Sequence, residues 1–419
     1  MSRRRKSTSN SGYRPACMAG TTDDGQLHAQ DIADHAAFLP ARQVACCLRS
    51  GWRTAKSVMD DLERHGQGRH YPDYPDQLHP RQPKIDAAVW DERALPVTVL
   101  TKTLPEQANV LDTPRLAVVV PARNRRESLP RTLASIFCAS RTDIEVVVID
   151  DGSADGTESF LASFDDPRLK WRRLPMPAGA NMARNEGAAL SHAPLIAFLD
   201  SDDAFRPGRI DRLITFFEEN PEIACTIDGF SDISPSGERV HRLPRIAPDG
   251  EALRQLLLCH CIPLTNSTVT VRRAAFEAVG GYDPDLRRHQ DRELLLRLAL
   301  HHRIAFGTAT DVLKYRSANS ISRTHAGYIK GLDDFVSRCP DYRSAGYGSI
   351  LSYLTVRGAL KAVAQGHFGV ALDELKAWRR ADNLPGGLHV LPGYFMGRRK
   401  RRLLARQSLD QLPATTSAE

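Results

Sequence analysis

Three carboxylates stand close together at Asp200, Asp202 and Asp203, and Ser201 separates the first two. Carboxylates this close repel one another unless a cation lies among them. Hard oxygen ligands of this kind suit Mg²⁺ or Mn²⁺, whose remaining coordination is left for water and substrate phosphates. The acidic cluster therefore indicates a divalent metal site. A solvated acidic turn is the alternative, and it would be preferred if the motif stood alone.

A second acidic turn has the sequence Asp150-Asp151-Gly152-Ser153. A carboxylate in this position can accept hydrogen bonds from a base N–H group or from a ribose hydroxyl. Gly152 lets the chain turn sharply beside a ligand, because glycine lacks a Cβ atom. An ordinary surface turn is the alternative for this motif.

The segment from Ala178 to Ala189 is rich in small residues and compatible with a helix. Arg184 lies near the start of that helix, and Asn181 precedes it by three residues. Arginine pairs bidentately with phosphate oxygens, and helix N-termini supply further N–H donors. Alone, the segment would be interpreted as a close-packed helix that carries a surface arginine.

The elements that must position these groups are short apolar strands, at Leu116–Pro121, Ile144–Ile149 and Leu195–Leu199. Between the first two, apolar residues recur at helical spacing from Glu127 to Cys138. Strand, helix and strand in this order predict a right-handed βαβ unit. Both acidic turns follow strands, and ligands of open α/β sheets bind at the carboxyl ends of strands.

Four segments together resemble the inverting glycosyltransferases of family 2, which have the GT-A fold. These segments are VVVPARNRRESLPRTLASI, IEVVVIDDGSADGT, AGANMARNEGAAL and LIAFLDSDD, in the order that the family has. The resemblance covers residues 114–322 and implies an α/β fold with a mostly parallel sheet flanked by helices. It also implies transfer of a sugar from a nucleotide-diphosphate donor, with a UDP-sugar first among the candidates, to a saccharide or lipid-linked acceptor.

The resemblance also implies roles for individual residues. Asp202 would hold the metal, Mg²⁺ or Mn²⁺, and Asp291 would be the general base. The residues expected to bind the donor are Pro121, Ala122, Arg123, Asn124, Asp150, Asp151, Gly152, Asn181, Arg184, Asp200 and Ser201.

The chemistry requires a base, because the pKa of an acceptor hydroxyl lies far above neutrality. A carboxylate at Asp291 would take the proton as the oxygen attacks the anomeric carbon, and one displacement inverts that carbon. The charge that develops on the leaving diphosphate would be offset by the metal and by Arg184. An N-terminal helix cap is the alternative role for Asp291. Glu293 and Arg297 have the spacing of an ion pair on one helix face.

Three positions depart from the family pattern. Gln290 replaces the first acid of a pair that is commonly Glu-Asp, and Arg123 stands where relatives often have an aromatic residue. Ala318 occupies the position of a histidine that can approach the metal in many relatives, although His325 follows shortly after. Gln290 and the missing histidine keep open a second possibility: a catalytically silent protein that binds nucleotide sugars.

The chain has 419 residues and a net charge of +7, with basic runs near both ends. We expect a disordered basic tail over residues 1–41, an N-terminal extension over 42–110, the GT-A domain over 111–325 and a C-terminal helical region over 326–419. In the last of these, two helices are predicted at Ser349–Ala364 and Phe368–Trp378.

The C-terminal basic run, from Arg398 to Arg406, follows Tyr394, Phe395 and Met396, which favours an anionic membrane surface over a solvated tail. Nucleic acid is not expected as a partner, because the chain has no recognition motif that interleaves basic and aromatic residues. A dinucleotide oxidoreductase is disfavoured because no G-x-G-x-x-G follows the first strand. No apolar run reaches the length of a membrane span. The expectation is a cytoplasmic protein, with peripheral attachment to the inner face of the plasma membrane as an option.

Overall fold

The computed structural model describes residues 113–410, apart from 140, 236, 244–249, 316–325, 345 and 388–389. All of these lie in one compact unit. The predictions for residues 1–110, and the positions of Ala318 and His325, lie outside the described residues.

Eleven strands are formed by the described residues: β1 (Leu116–Ala122), β2 (Ile144–Asp150), β3 (Leu169–Arg173), β4 (Leu195–Phe198), β5 (Ala204–Phe205), β6 (Ile223–Ile227), β7 (Phe230–Ser234), β8 (Gly237–His241), β9 (Val269–Arg272), β10 (Arg303–Phe306) and β11 (Val312–Tyr315).

The same residues form eleven α-helices: α1 (Leu129–Phe137), α2 (Thr157–Ala162), α3 (Ala180–Leu190), α4 (Arg209–Glu219), α5 (Gly250–Leu258), α6 (Arg273–Ala278), α7 (Gln290–His301), α8 (Tyr328–Arg338), α9 (Gly348–Ala364), α10 (Phe368–Arg379) and α11 (Val390–Asp410).

The central sheet has seven strands in the order β10-β6-β9-β4-β1-β2-β3. β9 runs antiparallel to both of its neighbours, and the other neighbouring pairs are parallel. A smaller sheet has the order β5-β11-β7-β8. The mostly parallel α/β sheet is therefore confirmed.

The register brings the ends of three strands to one edge of the sheet. Ala122 at the end of β1 lies beside Asp150 at the end of β2. Val119 lies beside Phe198 at the end of β4, so the chain after Phe198 passes the last residues of β1. The loops after β1, β2 and β4 consequently meet, as parallel strands require.

Helices cover both faces of the central sheet, which explains why its strands read as continuous apolar runs. On one face, Val118 and Val146 pack with Leu133 of α1 in one hydrophobic cluster. On the other face, Val119 and Val147 belong to a cluster with residues of α5, α7, α8 and α9. The alternation along each strand divides the core between the two faces.

The segment from Asn266 to Arg273 alternates between polar and apolar residues like a strand, but its strand in the structure is shorter. Asn266–Thr268 forms a 3₁₀ turn, and the strand β9 occupies only Val269–Arg272. The side chain of Thr268 donates to the carbonyl of Thr265 at 2.8 Å, so local hydrogen bonds of the threonine compete with the extended ladder.

In the C-terminal region, α9 and α10 agree with the predicted helices and are joined at residues 365–367. α11 packs along α9 through small residues: a Cβ atom on Gly393 would lie 2.5 Å from Oγ of Ser352. Within the described part of the chain, no helix is both long enough and apolar enough to cross a membrane.

Candidate active site

A cavity of about 1060 Å³ opens where the loops after β1, β2 and β4 meet. Further walls come from the beginnings of α3 and α7, from β11 and from α9. Most of the residues predicted for the site line this cavity, namely Pro121, Ala122, Arg123, Asn124, Asp151, Asn181, Arg184, Asp200, Ser201, Asp202 and Asp291.

Asp150 and Gly152 were also predicted to bind the donor, but neither lines the cavity. The carboxylate of Asp150 is fully buried and accepts hydrogen bonds from the backbone N–H and the hydroxyl of Ser153. Gly152 has φ of 67°, and a Cβ atom there would lie 3.1 Å from the ring of Pro177. These two residues shape the turn that carries Asp151: the side chain of Asp150 is buried in the turn, and the backbone of Gly152 lies close to Pro177.

Asp151 connects this turn to the start of α3. Its carboxylate accepts the N–H of Ala178 at 2.6 Å and the N–H of Gly179 at 3.0 Å. The positive φ of 99° at Gly179 suits glycine and aims the N–H at the acid. The loop after β2 and the loop before α3 therefore form one wall.

Arg184 is buried with only 3% of its surface exposed, and it pairs with Asp200 at 2.7 Å. A second guanidinium nitrogen donates to the amide oxygen of Asn181 at 3.1 Å. Asn181 in turn donates to the carbonyls of Asp283 and Leu286, both at 2.7 Å. This chain of contacts joins the acidic motif to the loop that leads into α7.

The carboxylates of the acidic cluster have different surroundings. Asp202 has a partly exposed side chain 3.4 Å from the guanidinium of Arg125. Asp203 is fully buried and accepts the hydroxyl of Ser267 at 2.6 Å, with the ammonium of Lys314 3.9 Å away. Burial raises the pKa of Asp203 to about 7, because the charged form loses its hydration while Lys314 offsets only part of that cost.

Two cations beside this cluster had not been predicted. Arg125 directly follows Asn124, the last residue predicted for the site after β1. Its position in the sequence could therefore have indicated that it belongs to the site. Lys314 lies on β11 and belongs to no motif. Burial opposes its charge, but Asp203, Asp200 and Asp202 together raise the pKa of Lys314.

The acidic cluster can be compared with the requirements of a metal. In the described ranges, no group of three or more His, Cys, Asp or Glu side chains could hold an ion alone. Asp200 and Asp202 both line the cavity with partly exposed carboxylates, but Asp200 is paired with Arg184 at 2.7 Å, whereas Asp202 lies 3.4 Å from Arg125. Mg²⁺ is commonly bound through one or two carboxylates together with substrate phosphates. The residues therefore fit a metal whose coordination a bound diphosphate would complete.

Asp291 is the second residue of α7, and the cap position belongs to His289, whose φ is 61°. The N-cap alternative for Asp291 is therefore wrong. Its carboxylate accepts the N–H of Arg292 at 2.8 Å. Burial raises the pKa of Tyr282, and Asp291 adds to that shift. Burial opposes the charge of Arg184, but Asp200 and, to a smaller extent, Asp291 raise the pKa of Arg184.

Glu293 and Arg297 form the predicted ion pair within α7, with a distance of 2.6 Å. Arg297 also donates to the carbonyl of Gly281 at 2.7 Å. This pair is confirmed as structural, since it fixes α7 against the loop that follows α6.

Residues 117–280 match the family model for glycosyl transferase family 2. The chain contains a family 2 glycosyltransferase domain. The succinoglycan biosynthesis protein ExoU of Rhizobium meliloti is 35% identical over 32% of this chain and 39% of its own length. TuaG of Bacillus subtilis, named as a teichuronic acid biosynthesis glycosyltransferase, is 28% identical over 49% of this chain and 81% of its own.

Among solved structures, the 1–349 fragment of TarS from S. aureus, in complex with UDP-GlcNAc, superposes with a TM-score of 0.53. It is 17% identical, and the match covers 70% of this chain and 92% of that fragment. The similarity shows the GT-A fold.

Proposed function

We propose that this protein is an inverting glycosyltransferase that moves a sugar from a nucleotide-diphosphate donor to a saccharide or lipid-linked acceptor. The observation that supports this most is that Asp202, at the end of the sheet, and Asp291, on α7, line one cavity. A metal-binding acid and a base acid are the two groups that a single-displacement transfer requires.

In this proposal Asp291 accepts the proton of the acceptor hydroxyl while the oxygen attacks the anomeric carbon. The bond between that carbon and the diphosphate oxygen breaks in the same step, so the configuration is inverted. No covalent bond between sugar and protein forms, and the cavity needs no nucleophilic side chain.

The donor would lie at the sheet edge, along Arg123, Asn124 and Asp151. Asp202 would hold Mg²⁺ or Mn²⁺, which supplies positive charge to the leaving diphosphate when it is bound. Arg184 is enclosed, so its charge acts mainly by holding Asp200 in place. Lys314 and Arg125 add positive charge where the diphosphate would sit.

The test is calorimetric binding of UDP, GDP, CDP and dTDP, with and without Mn²⁺. UDP is the first candidate, in line with the UDP-GlcNAc named for the TarS complex. We expect one nucleotide to bind, to require the metal, and to be weakened by Asp202→Asn. Asp373→Asn is the matched control, because Asp373 is exposed on α10 and does not line the cavity. Failure of the folded protein to bind any nucleotide would exclude the proposal.

Gln290 supports a second candidate, a nucleotide-sugar-binding protein without turnover. Gln290 lines the cavity directly beside Asp291, where family members commonly carry an acid. A transfer or donor-hydrolysis assay separates the two candidates. Nucleotide binding without turnover in wild type, followed by turnover in Gln290→Glu, would favour the silent protein.

For location, we propose the cytoplasm, with attachment to an anionic membrane surface through α11. One side of this helix exposes apolar residues and arginines together: Leu391, Phe395, Met396, Leu403, Arg398, Arg399, Arg402 and Arg406. Interfacial helices combine these residue types because the apolar side chains enter the headgroup region and the cations meet anionic lipid.

Cosedimentation with vesicles of phosphatidylglycerol or of phosphatidylcholine tests this attachment. We expect the wild type to bind the anionic vesicles only. The triple variant Arg398→Gln, Arg399→Gln and Arg402→Gln should lose this binding. The double variant Arg379→Gln with Arg380→Gln removes exposed arginines at the end of α10 and is the control. Equal sedimentation of all three proteins would count against a role for α11.

A further inference from the structure

The wall of the cavity around α7 and α9 is strongly basic. We call the following residues the basic wall: Arg287, Arg288, Arg292, Arg357 and Lys361. The acids that line the cavity in the same region are Asp285 and Asp291. Positive charge therefore exceeds negative charge on this side, which is the side that carries the proposed base.

Close helix packing brings the basic wall together. A Cβ atom on Gly331 of α8 would lie 2.8 Å from the side chain of Arg288, and one on Gly358 of α9 would overlap the ring of Tyr328. Arg288 also donates to the carbonyl of Ala326 at 2.9 Å. Gly331 allows α8 to approach Arg288, just before α7, and Gly358 allows α9 to approach α8.

Arg357 and Lys361 are one helical turn apart on α9 and point to the same cavity. In the part of the chain that the structure describes, neither makes an ion pair or a side-chain hydrogen bond. Burial lowers the pKa of Lys361, and the charges of Arg357 and Arg288 lower it further. Cations that repel one another in a cavity are stabilised when an anion binds between them, and phosphate is the anion that suits arginine and lysine best.

In the proposed function the donor lies at the sheet edge, which has cations of its own. At the sheet edge the cations Arg125, Arg184 and Lys314 already lie beside Asp200, Asp202 and Asp203. The basic wall belongs to other elements, namely the loop before α7, α7 itself and α9, and Asp291 lies among its residues. An acceptor whose hydroxyl reaches Asp291 must pass these cations.

We infer that the basic wall is a phosphate-binding subsite for the acceptor, which therefore carries a phosphate or diphosphate ester near the hydroxyl that reacts. The inference rests on the proposed function and adds the chemical class of the acceptor. Such an ester is present in a lipid phosphate that carries a sugar and in a phosphate-bearing glycan.

The experiment is calorimetry on the full chain with Mg²⁺ and saturating UDP, so that the donor end is filled. The probes are inorganic phosphate, farnesyl phosphate, glucose 6-phosphate and uncharged glucose. The test variant is Arg357→Gln with Lys361→Gln, and the matched control is Arg379→Gln with Arg380→Gln. Both double variants remove two exposed cations, but only the first pair lines the cavity.

We expect the phosphate esters to bind wild type and the control equally, and the test variant about tenfold more weakly or worse. UDP affinity should be the same in all three proteins. Tighter binding of farnesyl phosphate would identify a lipid source, and tighter binding of glucose 6-phosphate a glycan source. Either result supports the subsite.

Two outcomes would overturn it. The subsite would be excluded if phosphate esters bind no better than glucose, or if they bind the test variant as well as wild type. In that case UDP binding would still support the proposed function. Absence of binding of UDP, GDP, CDP and dTDP alike in wild type would remove the proposed function, and the acceptor subsite with it.

Discussion

Arg184 and Asp200 form an ion pair with a distance of 2.7 Å, although only 3% of the arginine is exposed. Burial disfavours both charges, but each holds the other in its charged form: the pKa of Arg184 is raised and that of Asp200 is lowered. Through Asn181 the same pair reaches the loop before α7. The acidic motif is thus linked to the loop that leads into α7, the helix that carries the proposed base.

Replacement of Arg184 should destabilise the domain strongly. Arg184→Met leaves Asp200 without its partner, and loss of one member of a buried pair costs about 3–5 kcal/mol in the free energy of unfolding. Arg172→Met is the control, because Arg172 pairs with Glu186 at 3.0 Å on the surface and should cost about 1 kcal/mol or less. Chemical denaturation measures both. Equal losses in the two variants would contradict the role given to the buried pair.

Asp291→Asn should abolish most turnover and leave donor binding intact. The amide keeps the size of the side chain but cannot take a proton, so kcat should fall by about 10²–10⁴. Asp285→Asn serves for comparison, since Asp285 also lines the cavity but is not proposed to act as base. Steady-state kinetics with calorimetry of the nucleotide separate kcat from binding. A variant with normal kcat would remove Asp291 from catalysis.

Gly187 on α3 should be intolerant of any side chain. A Cβ atom there would overlap the side chain of Val119 in β1, so Gly187→Ala should destabilise the protein by about 1–3 kcal/mol. Gly369 on α10 has open space around it, and Gly369→Ala should leave stability unchanged or raise it by up to about 1 kcal/mol. Thermal unfolding of both variants tests the contrast. Similar effects of the two would show that α3 can move away from β1.

His289 should make the protein less stable in mild acid. Burial lowers its pKa to about 3, and Arg292 and Arg288 contribute to the shift. Between this value and the ordinary value near 6.5, the unfolded chain binds more protons than the folded one. The free energy of unfolding therefore falls as the pH falls through that window, and this residue contributes about 2 kcal/mol of loss by about pH 5.

The variant His289→Asn tests this dependence, because asparagine tolerates the left-handed backbone that His289 has, with φ of 61°. Its free energy of unfolding should fall less than that of wild type between about pH 7 and about pH 5. His301→Asn, at the exposed end of α7, should follow wild type. Parallel pH profiles for wild type and His289→Asn would refute the assignment.

Local patterns in the sequence determined the central strands and the first helix of the domain. The apolar runs of β1, β2 and β4, and the spacing of Leu129, Leu133 and Ile136 in α1, predict these elements because burial on both faces demands continuous apolar strands. Acids that follow parallel strands must meet at one edge. That is why Asp151 and Asp202 could be assigned to one cavity from sequence.

Only the tertiary structure decided how side chains far apart in sequence face one another. The side chains of the adjacent residues Asp150 and Asp151 point in opposite directions. The side chain of Asp150 is buried in the turn, and that of Asp151 lines the cavity. Lys314 meets Asp203 because β11 passes the acidic loop, and Arg357 reaches the cavity because glycines let α9 pack closely. Contacts of this kind depend on strand register and on packing between elements, and a local sequence pattern does not indicate either.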